Sequence, residues 1–165
     1  MTTLFAQPYD ISACGFYFES IEQFNAKALA LKNDNGDPVE EFEIQYIDGE
    51  HIDCSLASAL GVNQANLSRF FEIIDQWDDD QKTRYIIAVG ESGYATDCDP
   101  DDLDIDIYEL DSLKELAEQF VEEGLFGEIP EQLRFYLDMD LIARDLGMDY
   151  SETEIAGTRY VYRCG

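Results

Sequence analysis

Apolar residues recur along this chain in two rhythms, one of two residues and one near 3.6, and the alternation between them predicts the elements. The two-residue rhythm is clearest where Leu103, Ile105 and Ile107 alternate with Asp102, Asp104 and Asp106, which predicts a strand with one apolar and one acidic face. Residues 41–47 repeat it, with Phe42, Ile44 and Tyr46 inward and Glu41, Glu43 and Gln45 outward, and Asp48-Gly49 then predicts a hairpin turn. Residues 11–18 predict a further strand with Cys14, Phe16 and Phe18 on one side, and residues 33–38 (NDNGDP) predict a turn. Helical spacing appears at Ile21, Phe24, Ala28 and Leu31 behind a Ser20/Gln23 capping box. It returns from Ser55 to a stop at Gly61, and again at Leu67, Phe70, Phe71, Ile74 and Trp77 with Asn66 as N-cap. Asp78-Asp79-Asp80 close that helix and open the next, because acids at a helix N-terminus complement its dipole.

A second capping box, Ser112/Glu115, precedes the stripe Leu113, Leu116, Ala117, Phe120 and Val121, which Gly124 ends. Pro130 is placed at the first position of a further helix with Leu133, Tyr136 and Leu137 on one face, and Gly147 closes the run at Leu146. Asp138 and Asp140 mark a break into two short helices, and residues 153–163 predict a hairpin turning near Ala156-Gly157. Gly90 to Asp102 is the one stretch that reads as a loop with freedom. The fold class is α+β, a chain of small subdomains: a strand–helix–strand lobe over 1–54, a helical middle section over 55–92, and a mixed lobe over 93–165 with the acidic strand, helices and terminal hairpin.

Charge changes this picture more than length does. There are 37 acids against 10 bases, a formal net charge of −27. That excludes unassisted binding to nucleic acid or an anionic membrane and favours a strongly basic partner. Ten Phe and ten Tyr in a 45% hydrophobic chain supply a core, so the acids are not those of a disordered tail. Between 97 and 123 twelve carboxylates accompany one base, Lys114, and they ride on the strand and helix just described. Twenty-seven excess charges match about 46 Å of duplex DNA, at one charge per roughly 1.7 Å. The opening MTTLFAQPYD lacks the basic and apolar regions of a secretory signal, so Cys14, Cys54, Cys98 and Cys164 are expected reduced and the protein cytoplasmic. The longest aliphatic run, Ile86 to Val89, is too short to span a bilayer.

Motifs for chemistry are sparse. Asp97, Asp99 and Asp101 match the opening of a calcium loop, but Asp102 stands where glycine belongs, Pro100 intrudes, and Tyr108 occupies the twelfth position. His51 is the sole histidine and reads as a strand or turn residue, with no nucleophile elbow or metal cluster beside it. No cofactor, metal site or catalytic residue is expected, and an enzyme is the disfavoured class.

Residues 116–146 carry a more specific pattern: Gly124, Leu125, Gly127, Glu128, Ile129, Pro130, Leu133, Tyr136, Leu137 and Asp138, followed by Ala143-Arg144-Asp145-Leu146. This resembles the ArdA antirestriction family, whose signature is similar to G-L-x-G-E-[IV]-P-x-x-L-x-x-Y-[IL]-D and then A-R-D-L. The N-terminal third lacks the family's A-Y-N-x-G…G-x-W opening. The resemblance implies an elongated homodimer that mimics bent B-DNA, occupies the DNA-binding groove of type I restriction–modification enzymes, and so protects incoming mobile DNA. On that reading the phosphate-mimicking set is Glu41, Glu43, Glu72, Asp75, Asp78, Asp79, Asp80, Asp102, Asp104, Asp106, Glu115, Glu118, Glu122 and Glu123. The motif residues Gly127, Glu128, Pro130, Tyr136, Asp138, Arg144 and Asp145 are expected to serve fold or dimer geometry, with Arg144 pairing to Asp138, Asp140 or Asp145. Two other readings stand beside it: a calcium-binding adaptor built on Asp97 to Asp106, and a salt-adapted acidic domain, which would scatter its acids evenly.

Overall fold

A computed structural model describes residues 1–165 and shows two compact units, Met1–Asp101 and Asp102–Gly165. Seven α-helices and two three-stranded antiparallel sheets make up the mixed α+β class expected from the sequence. No helix is long and apolar enough to cross a membrane.

The first unit is built on β1 (Thr3–Pro8), a central strand hydrogen-bonded to β2 (Phe16–Phe18) on one side and β3 (Phe42–Asp48) on the other. Leu4, Ala6 and Pro8 are buried, while Phe5 faces away and packs on Tyr17 with ring centroids 4.7 Å apart. Gly15 lies directly beneath Phe5, and a Cβ there would collide with the ring and with the Ala6 carbonyl. The strand expected over 11–18 is only its last three residues. Asp10 accepts hydrogen bonds from the Ser12 amide (2.9 Å) and hydroxyl (2.6 Å), which turns the chain and leaves Cys14 exposed. Across the inner face lies α1 (Ile21–Ala30), where Ser20 accepts from the Gln23 amide as expected, while the Gln23 side chain accepts from the Glu19 amide, one residue ahead of the predicted box. Phe24 seats this helix against Phe16, Phe18 and Phe42, with centroids 5.1 to 5.9 Å apart.

Asp48-Gly49 does not make a hairpin. Gly49 at φ 145° delivers the chain into α2 (His51–Leu60), so His51 is a helix residue rather than a strand or turn residue. Gly61 ends α2 in the left-handed conformation, as the sequence predicts. Next comes α3 (Leu67–Gln76), where Asn66 turns its carbonyl oxygen to the Asn63 amide (2.7 Å) instead of capping. Asp78 and Gln81 form a full capping box at the start of α4 (Asp79–Tyr85), which continues as a π-helical segment, Ile86–Glu91. Gly90 in that segment passes close to Ala59. Leu56, Leu60, Leu67, Phe70, Ile73, Tyr85 and Ile87 fill the helical part of the core, and Phe71 reaches Phe18 at 6.2 Å. Residues 55–92 thus share one compact unit with 1–54.

In the second unit the central strand is β6 (Thr158–Cys164), flanked by β4 (Ile105–Tyr108) and β5 (Ser151–Ile155). The β5–β6 turn has positive φ at both Ala156 (51°) and Gly157 (83°), the geometry that matches strand twist in a two-residue hairpin. The acidic strand begins at Ile105 rather than Asp102, because Pro100–Asp102 forms a short 3-10 turn. α5 (Leu113–Glu122) packs Leu116 and Phe120 onto Tyr150 and Val161, with Tyr108, Leu110, Leu113 and Leu146 around them. Its cap is shifted from the expected box: Ser112 accepts from the Glu115 amide, but the Glu115 carboxylate accepts from the Asp111 amide at 2.9 Å. Glu152 of β5 accepts from the Leu113 amide at 2.7 Å.

Gly124 at φ 76° ends α5. α6 (Glu131–Arg134) is a single turn with Pro130 at its N-cap rather than inside it, and α7 (Met139–Leu146) follows. Asp138 makes the predicted break by accepting from the Asp140 and Leu141 amides at 3.1 and 3.2 Å. Leu133 and Tyr136 do not form a buried face; they are 53% and 84% exposed.

Candidate functional site

Of the fourteen carboxylates expected to face a partner, thirteen are exposed. In the first unit Glu41 and Glu43 stand on or beside β3, Glu72 and Asp75 on α3, and Asp78, Asp79 and Asp80 at the start of α4. In the second unit Asp102 and Asp104 lie just ahead of β4. Glu115, Glu118 and Glu122 follow one another along α5 opposite its buried stripe of Leu116, Ala117, Phe120 and Val121, with Glu123 at its end. Asp106 differs: it is half-buried and accepts from Arg163 Nε at 3.1 Å, while the guanidinium also lies 5.2 Å from the centre of the Tyr150 ring. The bond to Asp106 is the main cause holding the Arg163 pKa above its ordinary value, with Tyr150 adding to it.

A cleft of about 710 Å³ opens beside α1 and α3, walled by Glu19, Glu22, Glu50, Asp53, Glu72 and Asp75. The Glu22 carboxyl is held below the usual range by its own backbone amide and then by the Ser20 hydroxyl. Asp53, at the cleft's inner wall, is 5% exposed and accepts from Lys82 Nζ at 2.8 Å, with Thr2 Oγ1 donating to its other oxygen at 3.3 Å. Tyr46 is nearby, and its phenol is pushed up to about 12, first by burial and then by the Asp53 charge.

The two arginines of this unit each reach a main-chain carbonyl. Arg84 Nε donates to the Pro100 carbonyl at 3.0 Å, and Arg69 Nη2 approaches the Thr96 carbonyl at 3.4 Å. Tyr85 is fully buried and its hydroxyl donates to the same Thr96 carbonyl at 2.8 Å. Sequence reading singled out neither these anchors nor the Lys82–Asp53 pair. One signal was present: Asp53 falls on the apolar stripe of Leu56, Ala57 and Leu60, and Lys82 on that of Tyr85 and Ile86. An acid and a base each placed on an apolar face point to a pair between them.

The calcium-loop candidates are engaged locally. Asp99 accepts from the Asp101 amide at 3.0 Å, and Asp101 accepts from the Gln81 side chain at 2.9 Å. No group of three His, Cys, Asp or Glu side chains is gathered so as to hold a metal ion. All four cysteines are free thiols, and burial pushes the Cys98 thiol up.

The motif residues divide by position. Asp138 caps α7, and Gly127 takes φ 89°, which favours glycine. Glu128 and Pro130 are exposed, and Arg144 and Asp145 form a loose exposed pair at 3.8 Å. Around them Leu125, Phe126, Leu133, Phe135 and Tyr136 are all more than half exposed, Phe135 at 92%. These five exposed apolar side chains fall within twelve consecutive residues of an otherwise highly charged unit.

Exposed carboxylates carried on the elements of both units make this an acidic α+β protein. The model of the antirestriction protein (ArdA) family matches residues 18–160, and the chain belongs to that family. Membership implies an antirestriction function, directed at restriction–modification enzymes. The match takes in most of the first lobe as well as the 124–146 signature. No curated protein matches the chain.

Proposed function

We propose that this protein inhibits type I restriction–modification enzymes by mimicking B-DNA, occupying the groove of the methyltransferase core and so protecting incoming mobile DNA. The observation that carries this reading is the placement of thirteen exposed carboxylates on helices, strands and their caps, where repeating backbone geometry fixes their spacing. The enzyme's DNA-binding Lys and Arg pair with these carboxylates in place of phosphates through charge-assisted hydrogen bonds. No bond is made or broken, and no cofactor takes part. The cleft lined by Glu72 and Asp75 offers room for a basic side chain. The protein acts in the cytoplasm as a homodimer, its two copies meeting through the exposed apolar residues between Leu125 and Tyr136. Within the first compact unit, 1–54 and 55–92 act as separate lobes of the mimic, and 93–165 supplies the third.

The test is competition. Purified protein is titrated against labelled DNA bound to a type I methyltransferase core at two salt concentrations. Near-stoichiometric displacement that weakens steeply with salt is the expected result. Absence of displacement at low salt by folded protein overturns the reading. Neutralising Glu115, Glu118, Glu122 and Glu123 together should cut displacement far more than neutralising any one of them.

A further inference from the structure

We propose that the outer face of the first sheet, opposite α1, docks an arginine of the basic protein partner, whose guanidinium stacks on the Phe5–Tyr17 ring pair while bonding to the Glu43 carboxylate. This rests on the mimicry reading above and adds to its carboxylate set an aromatic contact that the phosphates of duplex DNA do not offer.

Strand register puts the parts together. Phe5 of β1 lies opposite Tyr17 of β2 on one side and Gln45 of β3 on the other, so these three side chains form one row across the outer face. In the next row Gln7 lies opposite Glu43. Tyr17 is 57% exposed, and Ile47, on the same face of β3, is 48% exposed. The ring pair is held from behind, because Gly15 leaves the Phe5 ring space that a Cβ would fill. Lys27 Nζ anchors β2 by donating to the Tyr17 carbonyl at 2.6 Å. Gln45 Nε2 donates to Glu43 Oε2 at 3.2 Å, which steadies the carboxylate beside the rings. Glu43 is the diagonal neighbour of Phe5, a separation of roughly 7–8 Å that long side chains bridge.

Exposed aromatic and aliphatic side chains gathered on one sheet face mark a contact surface. The charge around them selects the occupant. Nucleic-acid bases also stack on such rings, but twenty acids against five bases in this unit repel the phosphates that come with them. The same excess attracts a cationic protein surface. A lysine ammonium is a compact, strongly hydrated charge that Glu43 alone would satisfy. A guanidinium is planar and weakly hydrated, so it can lie on an aromatic face and still fork to a carboxylate. The sheet face therefore prefers arginine, whereas the carboxylates borne on helices accept either cation.

The experiment compares the unaltered protein with Tyr17→Leu, Tyr17→Phe and Glu43→Gln in the DNA-displacement assay across a salt series. Tyr17→Leu keeps apolar area and removes the ring; it should lose roughly fivefold in potency with the salt slope unchanged, since no charge is removed. Tyr17→Ile, a good strand former, serves if Tyr17→Leu fails to fold. Tyr17→Phe keeps the ring and should stay within about twofold of the unaltered protein. Glu43→Gln should weaken displacement and flatten its salt dependence. Combined with Tyr17→Leu it should cost less than the product of the two losses, because both act on one arginine. A stoichiometric titration gives the active fraction, which a folding defect lowers and a lost contact does not. Displacement by the unaltered protein with Tyr17→Leu equally potent overturns the inference alone. So does an effect of Tyr17→Leu seen only in sedimentation, which assigns the face to a second copy of this chain. No displacement by the unaltered protein overturns the mimicry reading and the inference with it.

Discussion

In the first unit twenty acids accompany five bases, and in the second seventeen accompany five, so the two carry a similar excess of negative charge. They differ in where the bases point. In the first unit Lys82 is buried on Asp53, and Lys27, Arg69 and Arg84 donate to main-chain carbonyls. In the second, Lys114, Arg144 and Arg163 each pair with a carboxylate, Asp140, Asp145 and Asp106, at or near the surface. The first unit thus uses cations to hold its own architecture. The second cancels part of its surface charge and instead exposes apolar side chains from Leu125 to Tyr136. Two surfaces of similar formal acidity can therefore offer a partner different things, and a charge count along the chain does not distinguish them.

The sharpest way to break this comparison is Lys82→Met. It strands the Asp53 carboxylate in a site 5% exposed and should cost about 3–5 kcal/mol, read from the urea midpoint of Trp77 fluorescence. Asp53→Leu added to it should recover most of that loss; no recovery would show that the pair is not the source. Leu116→Ala, in the second unit, should cost about 3 kcal/mol as a cavity in a small core. Its effect belongs in far-UV circular dichroism and not in the Trp77 transition, since the sole tryptophan lies in the first unit. Equal shifts by both probes would show that the units do not unfold independently.

A smaller effect follows from Tyr46, whose phenol is raised from 10.0 to about 12. The folded state holds that proton more tightly than the unfolded chain. The associated stability is therefore complete below pH 10 and is lost as the pH rises from about 10 to 12. Tyr46→Phe should flatten the alkaline limb of the stability profile, measured by denaturant midpoints between pH 8 and 12, at a cost near 1 kcal/mol for the lost bond to the Glu50 carbonyl. Smallest of all, Arg144→Ala should change stability by less than about 0.5 kcal/mol, because its partner lies 3.8 Å away and both side chains are exposed. A larger change would give that motif residue a role in folding.

Much of the local structure was legible because it rests on local chemistry. Ser20, Gly61, Asp78, Gly124, Asp138 and Ala156-Gly157 all do in the structure what their residue types predict. The errors came where a residue answered to something distant. β1 was hidden because Phe5 points outward onto Tyr17, spoiling an alternation that Leu4, Ala6 and Pro8 otherwise keep. Asp48-Gly49 looked like a hairpin because Asp-Gly is a common two-residue turn, and nothing local shows that Asp53, paired with Lys82 across 29 residues, belongs to a buried helix face just beyond it. The thirteen exposed carboxylates were easy to anticipate, since surface is where unpaired charge belongs. Asp106 broke the pattern because Arg163 sits opposite it in the β4–β6 register, a pairing that no spacing within either strand reveals.

The central position of β6 has a consequence for how the second unit is made. β4 and β5 do not touch each other; each finds its ladder only on β6, which follows both in the chain. On a ribosome, β4 must wait for some fifty residues before its partner emerges, whereas β5 closes at once through its two-residue turn. Asp106 on the waiting β4, with Asp104 and Glu109 at its two ends, keeps an unpaired edge soluble through that delay, so the charge that suits a finished surface also guards an unfinished one.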